Sequence, residues 1–128
     1  MSHQNIDSIM VCLSPSPSNI HVIRVASSML RNKKDHFYAL YISDTKRTLS
    51  DSNQKQLDKN IAYAKQLGAE VEIVSSEDIA GEIFKFANIY KVNKLVIGKN
   101  MNMRLHLFQK PIDQYLLDNI EDINLIIV

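Results

Sequence analysis

Most of the devices that announce a function are missing from this chain. Cys12 is the one cysteine among 128 residues, so no internal disulfide can form. It sits inside the apolar run Ile9-Met-Val-Cys-Leu13 and reads as a small buried hydrophobe. No apolar run approaches the roughly 18–20 residues that cross a bilayer. Met1–Asp7 has no basic segment followed by an apolar one, as a secretory signal needs. The expectation is a cytosolic domain with no direct membrane insertion, whether or not it belongs to a membrane protein. Neither sign of charge is in excess: 15 Lys and Arg face 14 Asp and Glu, for a net +1. The basic residues are scattered rather than striped, which argues against nucleic acid as a partner. The three glycines build neither GxGxxG nor GxxxxGK[ST], so neither a Rossmann fingerprint nor a P-loop is present. His3, His21, His36 and His106 show no metal-ligand spacing, and Ser14 lies in no GxSxG elbow. Glu70 and Glu72 share one face of a candidate edge strand, a common solvated pattern. The expectation is a domain without catalysis, metal or cofactor.

What remains is a strong alternation. Hydrophobic residues make up 45% of the chain and charged residues 23%, an ordinary balance for one soluble domain. Apolar runs of strand length sit at Ser8–Leu13, His36–Ile42, Glu70–Val74, Lys94–Gly98 and Ile123–Val128. Continuous apolar runs of this kind suit parallel strands buried on both faces. Between them the spacing predicts helices over Ser18–Lys33, Ser52–Leu67, Ser75–Tyr90 and Ile112–Asn119. Gly68 stands where a helix-terminating glycine belongs, and Pro111 suits a first helical turn. The Glu/apolar alternation of strand three marks it as an edge. The fold expected is α/β: a doubly wound five-stranded parallel sheet in the order 3-2-1-4-5. A strand close to the start and another running to Val128 suggest a domain cut from a longer protein.

In that order the switch point lies between strands one and four, where ligands of open α/β sheets bind. Two loops meet there. Ser14-Pro-Ser-Pro-Ser-Asn19 brings hydroxyls and amides to a helix N-terminus, a ready anion site, with Ser16 or Ser18 capping the helix. Gly98-Lys-Asn-Met-Asn-Met-Arg104 offers close backbone approach at Gly98 and phosphate partners at Lys99 and Arg104. Met101, Met103, Leu105, Leu107 and Phe108 are apolar for a loop; packing on the core ranks ahead of a lid or a docking surface. Tyr38 and Tyr41 point to opposite faces of strand two, and an aromatic at the pocket end can stack on a purine.

Val11-Cys-Leu-Ser-Pro-Ser-Pro-Ser18, from the first strand into its loop, and Val96-Ile-Gly-Lys99, at the end of the fourth, resemble the universal stress protein family. The closest resemblance is to the universal-stress-protein domain of Kdp-type potassium-sensing histidine kinases. It covers essentially the whole chain. ATP-binding members of the family end strand one with aspartate, where Ser14 stands here. They also carry GxxG-x9-G[ST] after strand four, where this chain keeps Gly98 but has Met101 and Lys110-Pro111. The resemblance therefore implies a ligand other than ATP held in the usual way.

Some Gram-positive Kdp kinases bind cyclic di-AMP through a pattern resembling SxS, twenty residues, then FTAxY. Ser14-Pro-Ser16 is followed here, after the same spacer, by Phe37-Tyr-Ala-Leu-Tyr41, with Tyr38 in place of threonine. By that resemblance Ser14, Ser16, Phe37, Ala39 and Tyr41 are ligand-binding residues, with Gly98, Lys99 and Asn100 closing from across the switch point. Serine hydroxyls and helix-one amides would hold a phosphate, and backbone near Ala39 would read an adenine. The implied partners are cyclic di-AMP and the other domains of a membrane-anchored kinase. The alternatives are a ligand-free domain that docks a protein or forms a homodimer through strand five, and an ATP-binding stress protein.

Overall fold

The computed structural model describes residues 6–101 and 123–128. Their elements run β1 (Ser8–Cys12), α1 (Asn19–Ser28), β2 (His36–Asp44), α2 (Asp51–Gln66), β3 (Glu70–Ser76), α3 (Ile79–Ile89), β4 (Lys94–Ile97) and β5 (Asn124–Ile127). The strands form one parallel sheet in the order β3-β2-β1-β4-β5, as expected. The helix expected over Ile112–Asn119, and Arg104, Met103, Leu105, Leu107, Phe108 and Pro111, lie outside the described residues.

Strand alternation splits the core into two layers. Ile9, Val11, Leu13, Phe37, Ala39, Tyr41 and Val96 face α1 and α2. Met10, Cys12, Tyr38, Leu40, Leu95 and Ile97 face α3. Every residue of β1 is buried because helices cover both of its faces. That is why its sequence reads as an unbroken apolar run. β3 is an edge, and its Ile73 is 57% exposed. Among the described residues, no helix is long and apolar enough to cross a membrane.

Several boundaries differ from expectation for identifiable reasons. α1 stops at Ser28 rather than Lys33. Beyond it, the Asp35 carboxylate accepts the Arg31 and Asn32 amides at 2.9 and 3.0 Å and the Asp7 amide at 3.0 Å. Those bonds give the backbone an alternative to another helical turn. They also hold the Asp35 carboxyl below its ordinary range, the Arg31 amide being the largest cause. β2 and β3 each run two residues further than expected, to Asp44 and Ser76, because they remain paired to the end. α3 therefore begins later, with Asp78 as its N-cap accepting the Gly81 amide at 3.0 Å. α2 is capped by Ser50, which accepts from Asn53, and ends before Gly68 at φ 94°.

At the N-terminal edge of the sheet, Asp7 ties three strands together. Its side chain is 5% exposed and accepts from Asn93, Arg31 and Lys94 at 3.0, 3.0 and 3.1 Å. Its carbonyl accepts the amide of His36, which opens β2.

Candidate functional site

β1 ends beside β2 on one side and β4 on the other, so its C-terminal tip is the switch point of the sheet. A cavity lies on each side of that tip. The first, about 300 Å³, has a floor of Leu13, Leu40, Ile79 and Ile83, a wall at Tyr41, and a rim of Asp44, Arg47, Thr48 and Asn53. The second, about 250 Å³, is bordered by Ser14, Ser16, Ser18, His21, Gly98, Lys99 and Asn100. Cys12, Ser14 and Met101 line both. The first volume is at the lower end for a small-molecule site and the second is just below it.

Six of the eight residues singled out in the sequence reach these cavities. Ser14, Ser16, Gly98, Lys99 and Asn100 border the second, and Tyr41, with Ser14 again, borders the first. Phe37 and Ala39 line neither. They share the Tyr41 face but lie deeper in the layer, 6% and 0% exposed. Phe37 sits four residues before Tyr41, about 13 Å down the strand, and seven before the strand's end at Asp44. The backbone of Ala39 lies within the sheet, paired with Val11 on one side and Val71 on the other.

The expected capping also differs. Ser18 is the N-cap of α1 but makes no side-chain capping bond. The Ser16 hydroxyl accepts the Ser18 amide at 3.3 Å and lies 2.8 Å from the Ser18 hydroxyl. The amides of Asn19, Ile20 and His21 donate to the carbonyls three residues back, at 3.1, 3.4 and 3.1 Å. These three amides are thus engaged within the turn rather than free for a phosphate. Residues 99–101 are helical rather than loop.

Tyr38, the departure from the second pattern, points away from both cavities. Its ring stacks on Tyr90 at 4.3 Å beneath α3, and burial followed by the nearby Glu70 raises its hydroxyl pKa. Tyr90 donates to Glu72 at 2.9 Å, the leading cause of its own upward shift. Burial pushes the Cys12 thiol up to about 12, so it stays a thiol at neutral pH despite bordering both cavities. Among the described residues no cluster of His, Cys, Asp or Glu is placed to hold a metal ion.

Gly98 needs no glycine for its own backbone. A Cβ there would meet Val22 at 3.5 Å, an ordinary contact. Gly98→Ala is expected to leave the unfolding free energy from urea denaturation within about 0.5 kcal/mol of the parent while narrowing the second cavity. A larger loss would show that the position serves the fold.

Solved structures place this arrangement. The fold superposes on a universal stress protein from Archaeoglobus fulgidus in complex with dAMP, at a TM-score of 0.61 and 14% identity, covering 98% of each chain. It superposes equally on a universal stress protein in complex with cAMP, at a TM-score of 0.64 and 16% identity, covering 95% of this chain and 96% of that one. This is the universal stress protein fold. No family model matches the sequence. The chain is similar to the sensor protein KdpD of Clostridium acetobutylicum, 33% identical over 116 residues, which is 88% of this chain. It spans 13% of the length of that relative. The chain is therefore a universal stress protein fold related to one segment of a KdpD sensor protein.

Proposed function

We propose that this chain is a regulatory, non-catalytic domain of a potassium-responsive sensor histidine kinase, and that it binds cyclic di-AMP to modulate signalling. The observation that carries the reading is the pair of cavities meeting at Ser14. A ligand with two adenosine halves and two phosphates has a matching division. One base enters the first cavity against Tyr41, above the apolar floor. A phosphate lies at Ser14, Ser16 and Lys99, where charged hydrogen bonds are available. Asn100 and Gly98 border the remainder of the second cavity. The similarity to KdpD supports the sensor assignment, and the dAMP and cAMP complexes of the two structural neighbours support an adenine nucleotide. Replacement of the family's strand-ending aspartate by Ser14 and of its second loop glycine by Met101 favours cyclic di-AMP over ATP.

The test is a thermal shift series with cyclic di-AMP, cyclic di-GMP, AMP and ATP. At a hundredfold excess over its dissociation constant, a specific ligand adds about 2.7 kcal/mol, or roughly 10 °C for a domain of this size. Cyclic di-AMP alone is expected to give a shift of that order. A larger shift with ATP would reverse the ligand assignment. No shift with any nucleotide would favour a docking or dimerising domain, for which the edge strand β5, with Ile127 44% exposed, offers a surface.

A further inference from the structure

Asn60 lies in the middle of α2, on the same stripe as Leu57 and Ala64, and is 0% exposed. Nothing in the packing of that stripe calls for a polar group, and a buried amide is costly unless all of its capacity is used. Here it is used. Its Nδ2 donates to the Ser14 carbonyl at 2.7 Å and to the Ser16 carbonyl at 3.0 Å. Its Oδ1 accepts from Gln56 at 2.9 Å. Both hydrogens thus go to one loop, 46 and 44 residues away in sequence.

A second buried asparagine completes the hold. Asn19, 3% exposed, accepts the Ser14 amide at 3.1 Å and donates to the Cys12 carbonyl at 3.1 Å. The Ser14 main chain is therefore gripped at its N–H by Asn19 and at its C=O by Asn60. With its backbone groups satisfied inward, the residue keeps a fixed position between the two cavities. We infer that Asn60 is a positioning residue, which acts through Ser14 and Ser16 to hold the serine loop in ligand-competent geometry. The inference rests on the cyclic di-AMP reading for its binding test, but the geometry of the loop can be tested without ligand.

The experiment combines a double-mutant cycle with amide exchange. Asn60→Leu keeps the apolar stripe filled and removes both donors. Its dissociation constant for cyclic di-AMP, by calorimetry well below the melting temperature, is expected to rise tenfold or more. Ser14→Ala added to Asn60→Leu is expected to cost much less than in the parent, because the two act through one group. Fully additive effects, or an unchanged affinity in Asn60→Leu, would overturn the inference. In the free protein, the Ser14 amide, which donates to Asn19, is expected to lose at least tenfold in protection while the amides of β2 and β3 retain theirs. Undiminished protection of that amide would overturn it even if the parent bound no cyclic di-AMP, a result that would instead sink the proposed function. Should Asn60→Leu fail to fold, Asn60→Gln, which keeps the donors on a longer arm, takes the same two readouts: a less protected Ser14 amide and weakened binding support the inference, and parent-like behaviour in both overturns it.

Discussion

Calorimetric titration of the Ser14→Ala/Ser16→Ala double variant with cyclic di-AMP is expected to show binding weakened about 100-fold or more. A hydrogen bond to a charged group contributes about 1.5–3 kcal/mol, and two such bonds lost together amount to at least two decades in affinity. The fold should tolerate the change. The hydrogen bonds recorded at Ser14 run through its main chain, to Asn19 and Asn60, and alanine retains them. Among the described residues, the Ser16 hydroxyl is engaged with Ser18 alone, at the exposed start of α1. A lost affinity with an unchanged melting temperature is therefore the result that supports the site. An unchanged affinity would remove the serines from it and return the first cavity, with Tyr41, Asp44 and Arg47, as the place to look.

The second large effect belongs to the opposite end of the sheet. The Asp7 carboxyl is lowered from the usual 3.8 to about 2, by the Asn93 amide first and the Lys94 ammonium next, against the opposing effect of burial. A carboxyl with a depressed folded-state pKa binds its proton more readily when unfolded. Its contribution is thus complete above about pH 4 and is lost as the pH falls through about 2. The difference corresponds to roughly 2 kcal/mol. Asp7→Asn is expected to lose at least that much at pH 7, since it also leaves the partly buried Lys94 without its counter-charge. Arg31, 66% exposed, adds little to the loss. Urea denaturation between pH 7 and pH 2 checks both points. The parent should lose stability more steeply than Asp7→Asn below pH 4, so the two curves converge. Parallel curves would show that Asp7 does not carry the acid sensitivity.

The candidate site was legible to different depths. Ser14, Ser16, Gly98, Lys99 and Asn100 were visible because two loops at strand ends must meet at the switch point once the strand order is known. Tyr41 was visible as an aromatic near the end of β2. Phe37 and Ala39 share its face but not the cavities, since a pattern of spacing does not say how far a strand continues past it. Tyr38 looked like a defect in the ligand pattern. The alternation of the strand turns it to the α3 layer, against Tyr90. The capping of α1 could not be read either, because Ser16, Ser18 and Asn19 are all good candidates by type and only their geometry separates them.

The sequence by itself determined the layers, the parallel sheet and its order. Those depend on period and on runs of apolar residues, which are local and repeat along the chain. Only the tertiary structure decided how the binding loop is held. Asn19 and Asn60 look like any other polar residues of a helix until burial and a partner are known. A contact spanning 46 residues has no period by which a sequence can announce it. The same holds for Asp7, whose partners Arg31, Asn93 and Lys94 come together only when β1, β2 and β4 are side by side.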